Sequence, residues 1–143
     1  MKTPRIPLAR NPGAIERDYI AFDLPAPVSV NDLWTIRKNR QTGKPFLAKT
    51  KAYQAWLAES RWTMSVAKPG FISGWYALKI TVGTASGIDL DNAAKCVGDV
   101  LQAHGIIDND RFAASIELRW HKDVPGLSVM LTRTKAPVGK EAA

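Results

Sequence analysis

Asp89 and Asp91 stand two residues apart, and Asp110 follows nineteen residues after Asp91. In extended backbone, side chains at i and i+2 point to the same side, so the first two carboxylates are expected to reach one ion. Asp110, beyond the next helical segment, is the candidate third ligand. Hard carboxylate oxygens suit Mg2+ or Mn2+, which keep several waters and use one or two carboxylates plus substrate phosphate. A metal held in this way activates water and stabilises the leaving oxygen of a phosphodiester displacement. Lys95 stands four residues after Asp91. It either pairs with Asp91 or Asp99 for a few tenths of a kcal/mol or offsets charge developing on a scissile phosphate. Each residue also has a plain structural role open to it: Asp91 as a helix cap, Asp108-Asn109-Asp110 as a turn, and Lys95 as half of a surface ion pair.

Charge is distributed to match that chemistry. Lys and Arg number 20 against 13 Asp and Glu, a net +7 that favours a polyanionic partner such as nucleic acid. Residues 33–58 contain no acid but hold Arg37, Lys38, Arg40, Lys44, Lys49 and Lys51, with Trp34 just before them. Six cations without counter-charges suit phosphate neutralisation, and an adjacent indole suits base stacking. A solvated basic loop beside a core Trp34 is the alternative. By contrast, Asp89, Asp91, Asp99, Asp108 and Asp110 place five carboxylates within 22 residues, where Lys95 is the only Lys or Arg. Like charges so concentrated repel unless a cation binds between them or one carboxyl is protonated.

The elements that must position these residues follow from periodicity. With 143 residues the chain is one ordinary domain. Residues 1–18, with three prolines, read as a loose arm, and residues 134–143 as a polar tail. Residues 19–24 alternate as a strand, and the basic stretch reads as a loop with a short strand expected at 44–47. Residues 49–67 read as a helix with Tyr53, Trp56, Leu57, Met64 and Ala67 on one face and Thr50 as its cap. Residues 75–82 form a strand. A second helix is expected over 92–103, capped by Asp91 and closed by Gly105, with an apolar stripe of Ala93, Val97, Val100 and Leu101. Residues 112–122 and 127–132 are expected to pair as a hairpin. The expected fold is α+β: a single domain over 19–133, with one mixed sheet covered by two main helices.

Several classes are excluded. One cysteine, Cys96, permits neither a disulfide framework nor a Cys-based zinc site, and it reads as a packed hydrophobe. No apolar run is long enough for a membrane span, and the first residues lack the apolar core of a secretory signal. A cytoplasmic location is the expectation. No Ser-His-Asp pattern or glycine-rich phosphate loop is present. His104 is expected at the carbonyl end of the second helix and His121 carries no visible partner. Trp56, Trp62 and Trp75 are expected in or near the core.

The segment Asp89-Leu90-Asp91-Asn92-Ala93-Ala94-Lys95, followed by Asp99, Gly105 and Asp110, resembles the signature of the RusA family of Holliday junction resolvases. Leu24-Pro25-Ala26-Pro27 with Ser29 and Asn31, and Ala52-Tyr53 in the first helix, resemble that family as well, so that the likeness spans about residues 20–132. The resemblance implies a Mg2+-dependent endonuclease, a homodimer that resolves four-way DNA junctions by symmetrical paired nicks, of bacterial or phage origin and nucleoid-associated. It implies Asp89, Asp91 and Asp110 as catalytic metal ligands and Lys95 as the essential lysine. Two departures stand out. Asn109 replaces the first acid of the family's paired-acid turn, which leaves Asp108 as a ligand or a turn residue. Trp120 stands where a basic residue is common, with Arg119 and Lys122 nearby. Two other readings stay open: a nuclease acting on flaps or forks, and a non-catalytic basic DNA-binding module.

Overall fold

A computed structural model describes residue 10, residues 13–27 and residues 34–141, without the side chain of Trp34. The elements are β1 (Tyr19–Leu24), β2 (Trp34–Lys38), β3 (Pro45–Lys49), α1 (Lys51–Ala67), β4 (Tyr76–Gly83), α2 (Leu90–Ala103), β5 (Ala113–His121) and β6 (Leu127–Arg133). Four strands form one mixed sheet in the order β1-β6-β4-β5, and β2 and β3 form a separate antiparallel ribbon. With two α-helices among the described residues, the chain is a small α+β domain, as its periodicity indicates.

β4 sits inside the sheet because alternate residues Tyr76, Leu78, Ile80 and Val82 are all buried. β6 lies antiparallel on one side of it and β5 parallel on the other. A parallel neighbour cannot be reached by a tight turn, and α2 supplies the crossover. The expected pairing of β5 with β6 is thus corrected: β4 separates them, and residues 122–126 bridge over its end. There the Gly83 amide donates to the Gly126 carbonyl at 2.8 Å. A Cβ on Gly83 would lie 2.0 Å from the Val124 carbonyl oxygen, so this crossing requires glycine.

α1 begins where Thr50 accepts the Tyr53 amide at 3.1 Å and ends at Lys68, whose φ of 46° is left-handed. It buries Tyr53, Trp56, Ser60 and Met64. Trp62, expected near the core, is 72% exposed, and Ala67 is exposed too; both fall off the buried stripe. α2 buries Ala93, Cys96, Val97, Val100 and Leu101 as its spacing indicates. Gly105, with φ of 64°, closes it.

The described part of the N-terminal segment is docked rather than loose. Residues 15–17 bridge to Phe71 through backbone hydrogen bonds at 2.8 and 3.0 Å. Arg133 binds Glu16 and Asp18, and Arg10 pairs with Asp108 while its plane covers the Phe71 ring.

Candidate active site

The exit from β4 delivers the paired aspartates. Thr84 and Ala85 turn the chain, Ser86 donates back to the Gly83 carbonyl at 2.9 Å, and buried Ile88 anchors the loop. Asp89, not Asp91, is then the cap residue of α2, with φ −73° and ψ 153°. Its carbonyl accepts the Ala93 amide at 2.9 Å, but its side chain makes no capping bond. Asp91 is already in the first helical turn, so the pair joins extended to helical backbone instead of lying along one extended face. Both side chains are exposed, and among the described residues neither has a hydrogen bond or an ion pair. Two carboxylates at the positive end of a helix dipole are stabilised there without any side-chain partner.

Lys95 lies one turn further along α2, exposed, and forms no ion pair with Asp91 or Asp99. Asp99 is engaged elsewhere: the Tyr53 hydroxyl donates to its Oδ2 at 2.5 Å. Burial and this carboxylate push the Tyr53 phenol well above its ordinary value. Burial also raises the neighbouring Cys96 thiol to about 11, with Asp99 adding to the shift and Tyr53 opposing it.

Asp110 does not join the pair. It opens a single 3-10 turn, Asp110–Phe112, whose cap Asn109 accepts the Arg111 amide at 3.0 Å. That turn precedes β5 beyond the far end of α2, and a helix of 14 residues is about 21 Å long. Among the described residues no three His, Cys, Asp or Glu side chains are grouped to hold a metal ion. Asp110 instead acts on Tyr76, whose phenol rises to about 12 through burial and the nearby carboxylate. Asp108 is spent on structure: it binds Arg10 and accepts the Gly74 amide at 2.9 Å. Burial pulls its carboxyl upward, but Arg10 and Gly74 outweigh that and hold it below the ordinary value.

The basic segment is a two-stranded ribbon: the strand expected at 44–47 is β3, and β2 occupies part of the expected loop. β2 pairs with β3 from Trp34↔Lys49 to Lys38↔Pro45, and Asn39 caps the turn by accepting the Gln41 amide at 2.8 Å. The alternation of Thr35, Arg37 with Ile36, Lys38 carries too little apolar character to announce a strand. Arg37, Lys38, Arg40, Lys44, Lys49 and Lys51 are all exposed, and none pairs with a carboxylate among the described residues. The proposed stacking role of the Trp34 side chain lies outside the described residues.

Sequence reasoning missed a cavity of about 450 Å³ between the helices, whose lining includes Arg10, Lys49, Arg61, Asp99, His104 and Asp108. His104 stands there with its imidazole held below its ordinary pKa by burial and by the Arg61 charge. Its backbone amide closes the helix on the Val100 carbonyl at 3.1 Å. No sequence signal marks this cavity, because Arg10 and Arg61 stand far apart in the chain and only folding joins them.

The chain matches no protein-family model and no curated protein. Among the described residues no helix is long and apolar enough to cross a membrane.

Proposed function

We infer that the chain is a divalent-metal-dependent endodeoxyribonuclease that acts on branched DNA, in the manner of the RusA-like resolvases its motif resembles. The observation that carries this reading is the separation of charge. Two unpaired, exposed carboxylates and an unpaired lysine share the start of α2, while six exposed cations without acids occupy the β2–β3 ribbon. The donor set fits Mg2+ or Mn2+, which accept two carboxylates and leave positions for water and phosphate. Asp89 and Asp91 would hold the ion, which when bound lowers the pKa of water and offsets charge on the scissile phosphate. Lys95 brings a further positive charge to the phosphate. The ribbon grips flanking backbone by displacing counterions. Asp110 lies outside this set within one chain, so any part it takes in the chemistry requires a second copy.

The test is cleavage of a synthetic four-way junction, with Mg2+ and with chelator, against a linear duplex of the same arms. Paired symmetrical nicks that need both junction and metal are expected. Equal cutting of the duplex, or preference for a flap or fork, would move the substrate assignment. A second reading, a DNA-binding module without catalysis, is favoured by the absence of a third nearby carboxylate among the described residues; binding without cleavage in Mg2+ or Mn2+ would establish it.

A further inference from the structure

A second cavity, of about 530 Å³, opens where α1 and α2 end, and Arg10, His104 and Gly105 line both it and the first. Its other cations are Arg17 and Lys68, and no Asp or Glu lines it among the described residues. Arg10 is paired with Asp108, whereas Arg17 and Lys68 form no ion pair among the described residues. Two positive charges therefore face this recess uncompensated. Exposed Ile15 and half-buried Pro69 give it an apolar wall. A recess of this volume, with a few charged groups beside apolar surface, is the kind that takes a small ligand.

Backbone geometry places both cations. Lys68 ends α1 with the only positive φ outside glycine among the described residues, at a position where glycine is the strain-free residue. Arg17 is anchored by its amide, which donates to the Phe71 carbonyl at 2.8 Å. Its side chain crosses Gly70, where a Cβ would stand 3.0 Å from the Arg17 Nε. Gly70 thus leaves room for the guanidinium group. The negative end of the α1 dipole accounts for a cation at Lys68, but Arg17 lies on no helix. Burial and the Arg61 charge hold the His104 imidazole below its ordinary value, with Arg10, Lys49, Asp99 and Asp108 also lining the first cavity beside it. An anion entering the second cavity would raise it.

We propose that this second cavity binds a small organic phosphate monoester of mononucleotide size, with Arg17 and Lys68 on the phosphate and the apolar wall under the ring. A phosphate monoester carries about two negative charges near neutrality, which matches the two uncompensated cations. A phosphodiester link of DNA carries only about one. The planar guanidinium of Arg17 suits two phosphate oxygens at once, and the Lys68 ammonium adds a point charge. The site stands at the opposite end of α2 from Asp89 and Asp91 and does not rest on the nuclease reading.

The experiment is calorimetric titration of the full chain with adenosine monophosphate, adenosine and inorganic phosphate, while NMR follows the ring protons of the two histidines. The monophosphate is expected to bind about tenfold or more tighter than adenosine, which lacks the group the cations hold. It should also bind tighter than inorganic phosphate, which lacks the ring. On binding it should raise the pKa of His104 and leave His121, at the end of β5, where it was. Lys68→Gly and Arg17→Gln should each weaken the monophosphate about tenfold. Glycine suits the left-handed cap, so Lys68→Gly should melt no lower than wild type, and Arg17→Gln keeps the backbone bond to Phe71. No binding of the monophosphate, adenosine or inorganic phosphate binding as tightly, variants without effect, or an unmoved His104 would each overturn the proposal. So would displacement of the monophosphate by a four-way junction, since the site would then belong to the DNA interface. A chain that binds the monophosphate but cuts no DNA would count against the nuclease reading alone.

Discussion

The Tyr53 hydroxyl reaches from α1 to the Asp99 carboxylate of α2 across 2.5 Å, while its own amide bonds to the Thr50 cap. One residue thus fastens the helix that follows the basic ribbon to the helix that carries Asp89, Asp91 and Lys95. Tyr53→Phe keeps the ring and its stacking on Trp56 but strands a half-buried carboxylate. We expect a loss of about 2 kcal/mol, read as a lower urea midpoint with an unchanged slope.

Alkaline pH should weaken the fold in two stages. The Cys96 thiol rises from 9.0 to about 11 on folding, mainly through burial. The Tyr76 phenol rises from 10.0 to about 12 through burial and Asp110. A raised pKa means that the unfolded chain releases its proton first, so this stability is whole below the unfolded value and is lost as pH climbs to the folded one. Urea midpoints should therefore begin to fall near pH 9.0, and Cys96→Ala should remove the first stage while sparing the second. A flat profile to about 12 would contradict the burial of both groups.

Asp89→Asn, Asp91→Asn and Lys95→Ala should each cut junction cleavage by about a hundredfold or more with Tm nearly unchanged. The side chains are exposed and unpartnered, and such surface changes fall within about 0.5 kcal/mol. Asn also serves well as a helix cap. Binding of the junction by the two aspartate variants should persist. A large fall in Tm would mean that these carboxylates hold the fold together.

The ribbon predicts a steep salt dependence of DNA binding. Each of Arg37, Lys38, Arg40 or Lys44 replaced by Ala should lower the slope of log affinity against log salt by about one. Fluorescence titration of a labelled junction over a salt series measures it. A slope that does not change would place DNA on another face.

Much of this architecture can be read in the sequence where one period dominates. β1, α1, α2, β4 and β6 lie within two residues of their expected bounds because their apolar residues face a single core. Of the ribbon, only β3 shows in the sequence, as the strand expected at 44–47, because the described side chains of β2 bury almost nothing. The partner of β6 differs from the expected hairpin because short chain separation favours a hairpin over a crossover. The paired aspartates announce themselves by spacing. The place of Asp110 does not, since nineteen residues of separation fix neither the length of the intervening helix nor the end at which it stops. Asp108, from the sequence either a ligand or a turn residue, is bound by Arg10, which belongs to the segment that reads as a loose arm.

The β2–β3 ribbon has a thermodynamic consequence. A lone two-stranded ribbon is barely stable in water, and this one shares almost none of its described side chains with the core. Its order is therefore set by a local equilibrium, not by the cooperative transition of the domain. A substitution that stiffens its turn, for example at Thr42, would tighten DNA binding by lowering the ordering cost of the bound state. The midpoint of global melting would stay where it was, so affinity and thermal stability can be tuned separately in this chain.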